Sequence, residues 1–439
     1  MLDQWQFTDL YKQSNKLCRF SPDGNYVAVA VEKQLVVRSH PDLGILQVYY
    51  CKWPIDALAW SPNSKMISTT NYAACECQCY TMEDVGWSCQ YKDASRPIAH
   101  IRWSPGSDAV MHTASTKERL HIMSLRYNKR FSHIKNVKHK DKGYTSSPDA
   151  KWFAYLRRQD LKDVVSIYDA ESFEVIKNIE LDTVDAQDII ISPNGGFIAA
   201  YDVPLLYKLS VYRPDGTMEA SFSVDDGGLG IKSVCWSPDS QFLAVGGYDH
   251  KLRLLDTFTW KPVSTFTHQT RYPDNPAQEI LIEREVMSGT PHAGYDIRHG
   301  IQHIPMLRPD HDRPNPKTSI TAKFNNLGNL MLTTSETIPT TACIWNMTTM
   351  KSHAIIVQQE PILTALWNPK ISSLLAICCE GGRFYLWQDR RHEKHRSHVT
   401  AINIPAEKFS ISTVRWSPDG KSLLLMSKDM FCLAWPIDS

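Results

Sequence analysis

The sequence predicts an all-β chain, folded as a single β-propeller of about nine four-stranded blades. Three observations carry that class. A short motif recurs, its spacing is nearly constant, and the intervals between copies read as runs of short strands. The motif is an aromatic or apolar residue, then Ser-Pro, then a turn-forming residue. It occurs as FSPDG (20–24), WSPNS (60–64), WSPGS (103–107), SSPDA (146–150), ISPNG (191–195) and WSPDS (236–240), and again as a degenerate FNNLG (324–328), WNPKI (367–371) and WSPDG (416–420). From Pro22 to Pro238 successive prolines lie 40 to 45 residues apart; the next interval is about twice as long, and then the spacing resumes. A period of roughly 40–45 residues built from short strands is that of a propeller blade. The nine turns argue for nine blades, with seven or eight plus irregular strands as the alternative.

The motif has the chemistry of a turn. Proline presets φ at the second turn position, and Asp, Asn or Gly follows where the chain reverses. The large residue before it ends a first strand and packs between blades. Residues 227–268 show one complete unit. IKSVCW reads as its first strand and QFLAVGG as its second, YDH as a tight turn, the alternating KLRLLD as the third strand, and 260–267 as the outer one. In the other units DVVSIYD, TACIWN and RFYLWQ fill the third-strand place. Their YD, WN and WQ, and the LD of KLRLLD, occupy the slot of the WD dipeptide in WD40 repeats. The pattern is kept but rarely the letters, so the buried Asp–His–Ser/Thr–Trp network of the ideal repeat is not expected in most blades.

Composition narrows the function classes. The chain has 439 residues, 42% hydrophobic and 22% charged, enough to bury a core. A net charge of +1 gives no global electrostatic reason to bind nucleic acid or an anionic membrane. The start, MLDQWQFTDLYKQSN, lacks a signal-peptide apolar run, and no stretch approaches the ~18 apolar residues that span a bilayer. The reading is a soluble, intracellular protein whose 11 cysteines are free and mostly buried.

Between units six and seven lie about 50 extra residues, 268–317. EILIEREV (279–286) and GYDIRHGIQHIP (294–305) alternate well enough to form a hairpin. An ordered arm packed along a blade is expected, with Ile280, Ile282, Ile297 and Ile301 to bury. Ile280, Ile282, Tyr295, Ile297, His299 and Ile301 are therefore the candidate partner-binding residues. The plain alternative is a floppy linker. Two basic runs offer candidate docking loops for an acidic partner such as a microtubule: Lys129, Arg130, Lys138 and Lys140 in one, Arg390, Arg391, Lys394 and Arg396 in the other. Their plain alternative is solvated loops. Cys75, Cys77 and Cys79 share a strand parity but lack separated ligand pairs, and the histidines at 292, 299, 303 and 311 lack an acid or cysteine pattern. No metal or cofactor is expected. No phosphate-cradling, dinucleotide, nucleophile-elbow or metalloprotease motif occurs.

The last unit shows three strands, ISTVRW, SLLLMS and MFCLAW, and no fourth. The first twelve residues are unassigned, and in them Trp5, Phe7, Asp9 and Tyr11 alternate with Gln6, Thr8 and Leu10. The N-terminal strand is expected to complete the last blade, with Trp5 and Phe7 against the strand of Phe431 and Leu433, covering an exposed edge.

LGIKSVCWSPDSQFLAVGGYDHKLRLLDTFTWKPVSTF (229–266) resembles the most characteristic block of a WD-repeat family of centrosomes and yeast spindle poles, that of the protein encoded antisense to the p73 tumour-suppressor relative. LCRFSPDGNYVAVAVEKQLVVRS (17–39), RPNPKTSI (313–320), RFYLW (383–387) and LLMSKDMFCL (424–433) resemble it in the same order. The resemblance implies a non-enzymatic adaptor that partners a coiled-coil spindle-anchoring protein and, in fungi, a kinesin-14 motor. It implies tethering of microtubule minus ends, with microtubule or γ-tubulin assemblies as indirect partners, at the centrosome or spindle pole body and at centriolar satellites in animals. No binding residues carry over, because the matching blocks are blade framework. Two readings compete: a WD40 scaffold of another pathway such as translation initiation, and a hydrolase with its site in the central channel.

Overall fold

A computed structural model describes residues 4–92, 97–114, 119–125, 131–224, 229–272, 279–284, 295–298, 302–306, 319–390, 397–406 and 409–437. It is all-β, with no helix among these residues, and shows nine antiparallel propeller blades. Contacts divide the chain into two compact units. One gathers residues 12–203 and 207–224 and holds blades one to five. The other gathers residues 1–11, 204–206 and 225–439 and holds blades six to nine.

Each blade is built on a meander whose two middle strands are largely buried on both faces, and several of these strands read as continuous apolar runs. Blade one shows this in Tyr26–Val31, YVAVAV, where Val27, Ala28, Val29 and Ala30 are all buried. The outer strands of blades one, two and four bury one face only. Blade six keeps the expected boundaries, with strands Ile231–Trp236, Phe242–Gly247, Lys251–Asp256 and Pro262–Thr267.

The recurrent turn works through its serine. The hydroxyl accepts the N–H five residues on, as in Ser21–Tyr26 (2.9 Å), Ser237–Phe242 (2.9 Å) and Ser417–Ser422 (3.0 Å). It donates to the acid or amide two residues on, such as Asp23, Asn63 or Asp239. The fifth motif residue is left-handed in eight copies: Gly24, Ser64, Ser107, Ala150, Gly195, Ser240, Gly328 and Gly420, with φ between 59° and 79°. Glycine suits that conformation. Where serine stands there, it joins neighbouring blades: Ser64 Oγ accepts the Asp23 N–H (2.9 Å) and Ser107 Oγ the Asn63 N–H (3.1 Å).

The aromatic residue that opens the motif is a second inter-blade tie. The indole N–H of Trp60 donates to the carbonyl of Arg19 (3.2 Å), that of Trp103 to Ala59 (3.0 Å), that of Trp367 to Lys323 (2.9 Å) and that of Trp416 to Leu366 (3.1 Å). Each acceptor immediately precedes the equivalent position one blade earlier. A tryptophan satisfies its polar edge and buries its rings in the same step, which accounts for the tryptophans at these repeat positions.

Blade seven retains most of the repeat's buried network. Trp345 Nε1 donates to Thr333 Oγ1 (2.8 Å), and His268 Nε2 lies 2.8 Å from the same hydroxyl. His268 Nδ1 has no partner among the described residues; the acidic member of the ideal network is missing. Burial pushes the His268 pKa down to about 4, so the ring is neutral in the folded state. The unfolded chain takes up a proton below about pH 6.5 and the folded chain does not, so stability is full above that pH and falls as pH drops toward 4. In His268→Gln this part of the loss, on the order of 2 kcal/mol, should vanish from urea midpoints measured across pH 4 to 7. His100, in the other unit, is also pushed to about 4, by burial and then by Arg102, and its share should persist.

Candidate docking site: the insertion-bearing blade

The insertion is an integral part of blade seven. Its base is a short ladder, Arg271 with His303 and Tyr272 with Gln302, extended by a hydrogen bond from the Ile304 N–H to the Thr270 carbonyl (2.8 Å). The strand Glu279–Glu283 then pairs parallel with the blade's outer strand Lys351–Val357, setting Ile280 beside Ile355, Leu281 beside Ile356 and Ile282 beside Val357. Tyr295–Arg298 pairs antiparallel outside it, with Ile297 opposite Leu281. The blade thus has six strands. The expected hairpin is present, and it is welded to the blade by a parallel strand.

Both faces of the inserted strand are used. Ile280 packs with Tyr272, Ile304, Ile338 and Cys343, and Leu281 with Leu332, Ile344, Ile356 and Trp387. Glu283 shares the Leu281 face and is buried too. Its Oε1 accepts the Tyr385 hydroxyl (2.6 Å), its Oε2 the Gln359 N–H (3.0 Å), and its carbonyl the Gln359 side-chain amide (2.7 Å). Tyr295 donates to Gln358 Oε1 (2.7 Å) and meets Tyr385 edge-on at 6.1 Å. Glu279 accepts the N–H and hydroxyl of Ser397 from blade eight.

A cleft of about 460 Å³ opens beside this network, lined among others by Arg284, Glu360, Glu380, Gly382 and Arg383. Burial, reinforced by Glu283, pushes both the Tyr385 and Tyr295 phenols up, and burial pushes the Cys379 thiol up. Both phenols act as hydrogen-bond donors, Tyr385 to Glu283 and Tyr295 to Gln358. The surface is chemically suited to holding a partner through its exposed charges.

The other sequence candidates fall as follows. Lys138 is largely buried between Asp163 (2.8 Å) and Asp185 (2.6 Å), and Asp163 also takes Arg158 (2.8 Å) and the Ala186 N–H (2.6 Å). Burial alone would raise the Asp163 pKa; the contacts with Lys138, Ala186 and Arg158 outweigh it and hold the carboxyl below its usual range. Lys140 is exposed. Arg390 is half-buried, with Nε on Gln388 Oε1 (3.1 Å). Lys129, Arg130, Arg391, Lys394, Arg396, His299 and Ile301 lie outside the described residues, as do His292 and His311. Ile282 is half-buried. Cys77 and Cys79 are buried on Glu76–Thr81, while Cys75 sits in the turn before it at φ 54°. The Cys79 thiol is pushed up by its hydrogen bond with Cys77 and by burial. Among the described residues no group of three or more His, Cys, Asp or Glu could hold a metal. Trp5 and Phe7 lie on the strand Trp5–Phe7, which pairs antiparallel with Met430–Pro436, the strand of the fully buried Phe431 and Leu433.

The WD domain, G-beta repeat family matches residues 216–256, a span that includes the first three strands of blade six. The mouse (Mus musculus) WD repeat-containing protein WRAP73 is 32% identical over 450 residues, covering 98% of this chain and 95% of that protein. The chain belongs to the WRAP73 family of WD-repeat proteins. An uncharacterised WD repeat-containing protein of Schizosaccharomyces pombe is 23% identical over 350 residues, covering 73% of this chain and 67% of its own. Among solved structures, the C-terminal WD40 domain of Sif2 matches with a TM-score of 0.52 at 12% identity, covering 99% of each chain, and shows the fold alone. Glu279 and Glu283 are the residues of this blade that sequence reasoning missed. The available signal was parity: positions 279, 281 and 283 share a face, so acids beside Leu281 had to be buried with it.

Proposed function

We propose that this protein is a non-enzymatic scaffold of the centrosome or spindle pole. It binds a coiled-coil anchoring protein there and, in a fungal setting, a kinesin-14 motor, so that microtubule minus ends are tethered. The observation that carries the reading is membership of the WRAP73 family over essentially the whole chain. The exposed charges on the cleft beside the hydrogen-bonded Glu283 support a docking role. The protein, tagged at its C-terminus and expressed from its own promoter, should concentrate at spindle poles, and an anchoring coiled-coil protein should co-purify with it in stoichiometric amount. Diffuse localisation together with co-sedimentation with ribosomes would overturn this reading.

A further inference from the structure

The outer strand of blade one, Ile45–Tyr50, is unlike the other outer strands. Its sequence is ILQVYY, and its exposed side chains are Ile45 (60%), Leu46 (50%), Val48 (38%) and Tyr50 (76%). The outer strand of blade two exposes Lys92, that of blade four Lys177 and Glu180, and that of blade six opens with Pro262. Charges and prolines are the usual guards of an edge strand. On blade seven the guard is an added strand, Glu279–Glu283, and on blade nine the third strand is covered by Trp5–Phe7, which completes the blade. Among the described residues, Ile45–Tyr50 has none of these guards.

The strand is held ready. Its other face is fixed: Tyr49 stacks on Tyr80 at 4.2 Å and donates to the Thr81 carbonyl (3.1 Å), and Gln47 donates to the Met82 carbonyl (3.4 Å). Cys51 donates its N–H to the Lys33 carbonyl (2.7 Å), and Tyr49 and Gln47 stand opposite Leu35 and Val37. By the two-residue alternation of an antiparallel ladder, Val48 and Tyr50 turn their N–H and C=O groups outward. The free backbone groups and the apolar side chains therefore belong to the same residues.

We propose that Ile45–Tyr50 is a docking edge, which takes up an extended segment of a partner protein as a fifth strand of blade one. The backbone supplies hydrogen bonds, and Leu46, Val48 and Tyr50 select an uncharged segment with apolar residues at alternate positions. Glu279–Glu283, the fifth strand of blade seven, and Trp5–Phe7, the sequence-remote strand that completes blade nine, show the kind of occupant: short and rich in large apolar side chains, as in EILIE and WQF. A second copy of this chain fits less well. A six-residue strand pair falls short of the roughly 1,000 Å² that a stable dimer buries. The inference rests on the scaffold reading and not on the cellular address, so a failure at the spindle pole leaves it standing.

Random twelve-residue peptides displayed on phage and panned against the full chain are the probe. Enriched peptides should alternate apolar residues and slow amide exchange at Val48 and Tyr50. Their affinity should fall at least tenfold in Val48→Pro, which deletes an outward N–H and leaves the ladder to Gln34–Ser39 intact. It should fall equally in Val48→Lys, which keeps the backbone, and be unchanged in Ile176→Lys on the outer strand of blade four. Absence of enrichment, or enriched peptides that bind both Val48 variants as they bind the unmodified chain, would overturn the proposal. So would a concentration-dependent dimer in sedimentation that Val48→Lys abolishes, because it gives the edge to a second copy.

Discussion

Replacing residues 273–301 with a Gly-Asn-Gly turn should destabilise the unit of blades six to nine by on the order of 5 kcal/mol. The splice itself is benign, because Tyr272 and Gln302 already face each other across the base ladder. What is lost is a core strand. Ile280 and Leu281 are buried in two different clusters, and removing either should cost about 2–5 kcal/mol. Glu283 leaves as well, so the buried Tyr385 hydroxyl loses its acceptor inside the protein; such an orphan costs about 1–3 kcal/mol. The edge of Lys351–Val357 is uncovered too. Urea unfolding of the spliced chain measures the loss. A change under about 1 kcal/mol would mark the segment as an appendage. Glu283→Gln separates the contributions: it keeps an acceptor for Tyr385 and should lose less than Glu283→Ala.

This alters how docking by the insertion is to be tested. A deletion that unfolds blade seven abolishes every interaction of that unit and identifies none. Charge reversals at exposed groups on the cleft, such as Arg284→Glu or Glu360→Lys, leave the buried strand in place. Loss of an anchoring partner in those variants, with an unchanged unfolding profile, would locate the contact.

The nine blades were legible because their signal is local. A serine that caps its own turn and a proline that presets it act within five residues, and the aromatic before them recurs with the repeat. The insertion's strands were legible for the same reason: alternation is visible within five residues. Their placement was not. Glu283 meets Tyr385 across 102 residues and Gln359 across 76, and the pairing with Lys351–Val357 is parallel, which no turn motif announces. Lys138 shows the same limit in a charge run. Its neighbours in sequence are basic and make it look like solvated surface. Its neighbours in space, Asp163 and Asp185, come from later strands and loops and hold it inside the unit. His268 was legible only as one histidine among sixteen until Thr333 and Trp345 were placed beside it.

Removal of residues 4–11 should destabilise the same unit by about 3–4 kcal/mol, less than the splice but far more than loss of a loose tail. Trp5, Gln6 and Phe7 stand opposite Pro436, Trp435 and Ala434, and Thr8 exchanges two hydrogen bonds with Leu433, each 3.0 Å. Gln6 Oε1 accepts the Trp435 indole N–H (3.0 Å), and the Ile437 N–H reaches the Gln4 carbonyl (3.0 Å). The apolar cover is equally specific: Trp5 meets Phe384 edge-on at 5.3 Å, and Tyr11 lies against Phe431 at 5.6 Å. Phe384 and Phe431 are fully buried, so truncation opens both the ladder and the core beneath it. The amide of Leu433 should change from slow to fast exchange, and the double variant Trp5→Ala/Phe7→Ala, which keeps the backbone ladder, should give roughly half the loss. A synthetic peptide of residues 1–12 added to the truncated chain should restore the Leu433 protection. Such rescue would show directly that an outer strand of this fold binds a separate extended segment through its edge, the property on which docking at Ile45–Tyr50 depends. Failure of the peptide to bind, with the truncated chain otherwise folded, would mean that strand addition here requires covalent continuity.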